Sequence, residues 1–240
     1  MADGRLPLLS GQEVLDAVLA AALGGAVIGD MDLRVDRFHL DGFVSLSLVS
    51  PSMRTEPRPG DLVYAGTDLH HSETGMCATQ VTTYLSRLVC SNGLLIRVCE
   101  HNKALRVRRD SFTDREALLG RIRRMAELAW AEMDLKLGIL KQLAQERVDD
   151  QADVIEKLAR GHGLPVTRRQ VGELLKALDD DELGNGGTLY DIVNAFSRVG
   201  THSNGRPLAW RRGMMFVSGA ILGDRLERCP RCRSIMRHRR

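Results

Sequence analysis

Residue types suited to chemistry gather in three places. Near the C-terminal end, Cys229-Pro230-Arg231-Cys232 is followed by His238. Two thiolates and an imidazole at this spacing can take three corners of a zinc tetrahedron, so Cys229, Cys232 and His238 form a candidate metal site. No fourth donor lies close by in sequence, and an exposed dithiol in a basic tail is the competing reading. His70-His71-Ser72-Glu73 puts three metal-capable groups in four residues. With a metal they would suit a hydrolase or nuclease; a polar corner between a strand and a turn accounts for them equally. The third group is basic: Arg87, Arg97, Lys103, Arg106, Arg108, Arg109, Arg121, Arg123 and Arg124. The guanidinium fork matches phosphate and carboxylate geometry. Converged on one surface, these groups would track a polynucleotide backbone with an affinity that falls steeply with salt.

Nothing else in the chain spells out a catalytic motif. There is no nucleophile elbow, P-loop, dinucleotide fingerprint or His-Glu-x-x-His helix. Asp149-Asp150 and Asp179-Asp180-Asp181 read as helix-start and solvated turn charge. His101 and His202 read as structural histidines, and Cys77, Cys90 and Cys99 as small buried hydrophobes on strands.

Charge is strongly patterned. Residues 1–86 carry a net charge of −6, 87–124 of +6, 125–197 of −6 and 198–240 of +9. Arginine outnumbers lysine 29 to 5; codon bias accounts for that ratio as well as function does, but not for the clustering. Neutralisation of the basic blocks by the acidic ones is the alternative to a nucleic-acid partner.

The elements that must position these groups follow from periodicity. Ser10 caps a helix over Gln12–Leu23, with Gly24-Gly25 as its stop. Alternation from Leu33 to Leu48 predicts a hairpin around Leu40-Asp41-Gly42. Residues 50–60, marked by three prolines, read as a polar loop. Asp61–Leu69 is a strand, and Glu73-Thr74-Gly75 a turn. Thr79–Cys90 alternates, with Val81, Thr83, Leu85, Arg87 and Val89 on one face, and Asn92-Gly93 predicts a type I′ turn into Leu94–Cys99. Helices follow: a long one from a Thr113 cap with Glu116 to about Arg147, one opened by Asp149-Asp150 to Arg160, one from Thr167 over Arg168–Leu178, one from Thr188 with Asp191 through Ser197, and an apolar run at Gly213–Leu222. The long helix would measure roughly 50 Å and suggests an oligomer surface.

Strands first and helices after give an α+β fold, an antiparallel sheet with hairpins at about 33–108 packed by a C-terminal set of helices. The expected organisation is one α+β domain over 1–225, helical over 113–222, with a basic cysteine-containing tail at 226–240. An apolar content of 43% supplies a core built without many aromatics, which make up 4%. That scarcity leaves few platforms for stacking bases. Five cysteines in 240 residues suit a reducing compartment, so the expected location is the cytoplasm. Val14–Ile28 reads as an amphipathic helix and not a signal peptide, and no stretch is apolar enough to span a membrane.

The segment from Ser72-Glu73-Thr74-Gly75 through Arg87-Leu88-Val89-Cys90-Ser91-Asn92-Gly93-Leu94 resembles the prokaryotic "domain of unknown function 932" family of phage- and plasmid-like proteins. A later stretch, Leu189-Tyr190-Asp191-Ile192-Val193-Asn194-Ala195-Phe196 followed by Thr201-His202, resembles that family too. The likeness covers about residues 30–225 and implies a mobile-DNA context; it brings no catalytic roles. The element order is also loosely similar to recombination-type annealing proteins. The expectation is a nucleic-acid-associated accessory protein, non-enzymatic, holding single-stranded DNA as a homo-oligomer, with zinc as the one candidate cofactor. The alternative is a protein-interaction or host-defence modulator without DNA binding.

Overall fold

The computed structural model describes residues 9–24, 34–39, 43–74, 78–87, 94–96, 105–107, 114–180, 187–203 and 205–228; for residues 22–24, 34–39, 94–96, 105–107 and 226–228 it describes the backbone only. The class is the expected α+β. Helix α1 (Gly11–Gly24) precedes strands β1 (Arg34–His39), β2 (Phe43–Arg58), β3 (Asp61–Ser72), β4 (Thr79–Arg87), β5 (Leu94–Ile96) and β6 (Leu105–Val107). Helices α2 (Arg115–Leu143), α3 (Gln151–Gly161), α4 (Arg168–Asp179), α5 (Leu189–His202) and α6 (Leu208–Arg228) follow. The sheet runs β1-β2-β3-β4-β5, with β6 also pairing with β4. No helix among the described residues is long and apolar enough to cross a membrane.

Two local expectations change. Residues 50–58 belong to β2, not to a loop. Proline drives the residue before it into extended backbone, so a proline-marked stretch can be strand as readily as loop. Only Pro59-Gly60 makes the turn into β3, with Gly60 at φ +83°. The pairing of β4 with β5 is antiparallel as expected, with Arg87 opposite Leu94. The connection, including Asn92-Gly93, lies outside the described residues. Finally, α2 is capped by Asp114, which accepts from the Glu116 and Ala117 amides at 3.2 and 3.3 Å; Thr113 and the turn at Leu40-Asp41-Gly42 lie outside the described residues.

The described chain divides into two compact units, and the division cuts across the β-rich and helical halves. The first comprises residues 1–53, 65–83 and 102–133, the second 54–64, 84–101 and 134–240. Thus β2, β3, β4 and α2 each supply residues to both. The length of α2, about 43 Å at 1.5 Å per residue, is taken up in this way. Its apolar stripe (Leu118, Ile122, Met125, Ala129, Met133, Leu140) is buried within the chain.

In the first unit, Val44, Leu46, Leu48, Leu69 and Val81 present one sheet face to α1 and the first half of α2, meeting Val14, Val18, Leu118 and Ile122. Helix α1 begins with a reciprocal cap: the Ser10 amide donates to Glu13 at 2.9 Å and the Glu13 amide to Ser10 Oγ at 3.3 Å. Arg115 donates to the same carboxylate. The Arg115 bond, then those from Ser10, hold the Glu13 pKa down at about 2, against 4.5 for a free glutamate. A depressed acid contributes stability above its unfolded pKa and loses it as pH falls toward the folded one. Urea midpoints of wild type and Glu13→Gln are therefore expected to differ fully above pH 4.5 and to converge as pH drops toward 2. A pH-independent gap would contradict the assignment.

In the second unit, α5 is buried along nearly its whole length and packs against α4, α6 and β5. Gly200 lets α6 approach: a Cβ there would lie 2.7 Å from Met215 Cγ and 2.9 Å from the Arg211 carbonyl oxygen. The latter is backbone and cannot rotate aside. Gly200→Ala should lower the free energy of unfolding by about 1–3 kcal/mol, an overpacking cost, read from denaturant melts. The C-terminal end of α5 is closed by Arg211, which donates to the Gly200 and Thr201 carbonyls at 3.0 and 2.5 Å.

Candidate nucleic-acid interface and a buried ion-pair cluster

The described basic residues singled out by the sequence belong to both units. Arg121, Arg123 and Arg124 stand exposed on the first half of α2, in the first unit. Ile122 and Met125, between and beside them, point into the core. Helical spacing puts Arg121 and Arg124 on adjoining positions of the outer face, and Gly120 beside them leaves open space where a side chain would stand. Arg124 has an exposed ion pair with Glu127 at 3.3 Å. Arg121 and Arg123 have no ion pair among the described residues. Arg106 lies on β6 opposite Gln80 in the backbone register. Arg97, Lys103, Arg108 and Arg109 lie outside the described residues, as do Cys229, Cys232 and His238.

Arg87 is placed differently from the expected surface stripe. It belongs to the second unit, is 4% exposed, and donates through Nε to Asp61 at 2.6 Å. Asp61, fully buried at the start of β3, also accepts from the Tyr190 hydroxyl at 2.9 Å. Beside them, Arg58 grips Asp191 through both terminal nitrogens, one bond at 2.6 Å, and reaches Thr188 Oγ1 at 2.6 Å. The Arg58 and Arg87 guanidiniums both lie against the Tyr190 ring, 5.4 and 5.7 Å from its centre. Two positive and two negative groups give a neutral buried cluster, the condition under which charges survive in an interior.

The electrostatics follow from this burial. Desolvation, foremost, pushes the Tyr190 phenol well above its ordinary pKa, with Arg87 opposing and Asp61 reinforcing the shift. Tyr190 is thus a neutral hydrogen-bond donor at physiological pH. For Arg58, burial works against the charge, but the bond and charge of Asp191 hold its pKa above the ordinary value. Thr188 and Asp191 are also the reciprocal cap of α5, with the Thr188 amide donating to Asp191 at 2.9 Å. The helix start is pinned further by a bridge between Arg147 and Thr188.

Two residues of the His70-His71-Ser72-Glu73 metal reading, His71 and Glu73, are committed elsewhere. His71 is buried in the first unit, with Leu9 O 3.0 Å from Nε2 and Thr79 Oγ1 2.9 Å from Nδ1. A carbonyl only accepts, so Nε2 carries a proton, and Nδ1 is engaged by the Thr79 hydroxyl. Glu73 accepts the Gly11 amide at 2.6 Å. His70 stacks on Phe43 instead. Among the described residues, no three His, Cys, Asp or Glu side chains converge as a metal site.

The Arg58–Asp61–Arg87–Tyr190–Asp191 cluster was not foreseen from the sequence. One signal was present: Arg87 shares its strand face with Val81 and Leu85. A cation on an apolar face needs a buried acid, although nothing local says which. No family model matches the chain, and no curated protein and no solved structure matches it either.

Proposed function

We propose that this chain is a non-enzymatic, nucleic-acid-associated accessory protein that holds single-stranded DNA through the outer face of α2, in the mobile-DNA setting implied by its likeness to the domain of unknown function 932 proteins. The observation that carries the reading is the exposure of Arg121, Arg123 and Arg124 within one helical turn, two of them without an ion pair among the described residues. Exposed arginines without carboxylate partners are available to neutralise phosphates, and release of the cations condensed on the nucleic acid drives backbone binding. The proposal includes self-association, so that several such turns line one strand; light scattering of the purified protein reads the subunit number.

The test is fluorescence anisotropy with a single-stranded oligonucleotide across a salt series. Each phosphate contact contributes about 0.7 to the slope of log K against log salt on single strands. Replacing Arg121, Arg123 and Arg124 together by alanine should lower that slope by about 2 and weaken binding more than tenfold at low salt, with circular dichroism unchanged. Binding and slope that survive the triple substitution would remove the assignment.

A further inference from the structure

Strand alternation divides the sheet of the first unit into two faces. The face bearing Val44, Leu46, Leu48, Leu69 and Val81 is covered by α1 and α2. Period-two geometry sends Phe43, Ser47, Asp68, His70, Gln80 and Thr82 to the other side. That side is not apolar. Ser47 donates to Asp68, and Gln80 and Thr82 are half-buried. On it stands Phe43, one of two large exposed apolar residues among those described, at 36% exposure. Its ring and that of His70 are nearly parallel, 6.1 Å apart and inclined by 22°. His70 makes no hydrogen bond among the described residues, and its Nδ1 is buried without a partner. The imidazole is therefore held by stacking and not by hydrogen bonds, in contrast with His71.

We infer that this face takes a planar nucleobase, stacked on Phe43 and His70 and hydrogen-bonded by the polar groups around them. The inference rests on the polynucleotide reading and deepens it: the phosphate contacts of α2 are electrostatic, whereas this platform responds to the base. The chemistry on the page selects the occupant. The exposed Phe43 ring, stacked on a half-buried imidazole beside the half-buried Gln80 amide and Thr82 hydroxyl, matches a flat ring with donors and acceptors on its edge. It does not match an aliphatic side chain, which would leave those groups unpaired. Aromatic residues presented on the open face of a sheet are a recurring means of stacking single-stranded bases.

The experiment compares oligo(dT) with an abasic strand of the same phosphate count, on wild type, Phe43→Ala, Phe43→Trp and the Arg121/Arg123/Arg124 triple alanine variant. Wild type should bind oligo(dT) about tenfold more tightly than the abasic strand, on the scale of one stacked base. Phe43→Ala should abolish that preference and leave the salt slope unchanged; Phe43→Trp should retain it. Equal binding of the two strands by wild type, or a preference that survives Phe43→Ala, overturns the inference while leaving the phosphate reading intact. A Phe43-dependent preference with a normal salt slope in the triple variant keeps the platform and removes the α2 assignment. If neither strand binds, both fall. If Phe43→Ala instead dissociates a dimer in sedimentation, the occupant is a second copy and the inference fails.

Discussion

Arg87→Ala should lower the free energy of unfolding of the second unit by about 3–5 kcal/mol, the cost of stranding one member of a buried ion pair. Arg87 is 4% exposed and Asp61 fully buried, so water cannot replace the lost guanidinium without opening the structure. Asp61 would keep only the Tyr190 hydroxyl, and the Tyr190 ring would lose one of its two cation contacts. The penalty belongs to the unpaired acid more than to the lost attraction. Hence Arg87→Met combined with Asp61→Leu should recover most of the stability lost by Arg87→Met alone, since replacing both charges by apolar groups of similar shape is close to neutral. Tyr190→Phe, which leaves Asp61 its arginine, should cost about 1–2 kcal/mol.

The measurement can be confined to the relevant unit. The chain has two tryptophans, Trp130 in the first unit and Trp210 in the second. In a Trp130→Phe background, Trp210 fluorescence during urea unfolding reports the second unit alone, and a single midpoint is not assumed for the whole chain. A loss below 1 kcal/mol in Arg87→Ala, or a double variant no better than Arg87→Met, would contradict burial of this pair.

The parts of the fold legible in the sequence are those whose cause is local. Ser10 with Glu13, Asp150, Thr167 with Gln170 and Thr188 with Asp191 all cap helices as their spacing requires, because a cap bond spans three residues. The β1–β2 hairpin follows from period two alone, with His39 opposite Ser45. Errors arise where distant partners decide. Residues 50–58 are strand because neighbouring backbone pairs with them, not because their composition favours it. Its place in a basic block groups Arg87 with surface arginines, while its strand face also holds Val81 and Leu85. Its partner Asp61 is 26 residues away, and the tyrosine that completes the site lies a further 129 beyond Asp61. No window of local sequence contains that relation. Arg121, Arg123 and Arg124 were legible as exposed because the apolar spacing of α2 leaves them no other direction.

Asp191→Ala should be as costly as Arg87→Ala, about 3–5 kcal/mol, for a partly different reason. Asp191 is 1% exposed and accepts from both terminal nitrogens of Arg58, the Thr188 amide and the Thr188 hydroxyl. Its removal takes the carboxylate from a guanidinium that is 12% exposed and also dismantles the start of α5, where loss of a cap alone costs about 1 kcal/mol. Asp191→Asn keeps an oxygen for the Thr188 amide but not the charge, so it should fall between wild type and alanine. Arg58→Ala should cost less than Asp191→Ala, since Arg58 retains some access to water and the abandoned carboxylate keeps its Thr188 donors. Both guanidiniums lie against the same Tyr190 ring, so combining Arg58→Ala with Arg87→Ala should depart from additivity by more than 0.5 kcal/mol, as for groups sharing a partner. Hydrogen exchange provides a readout that global stability does not. In Asp191→Ala the amides of Thr188 to Ile192, at the freed helix start, should lose more protection than those of the α5 C-terminal end, still held by Arg211. Equal loss along the whole helix would mean that Asp191 stabilises the unit without anchoring this end of α5.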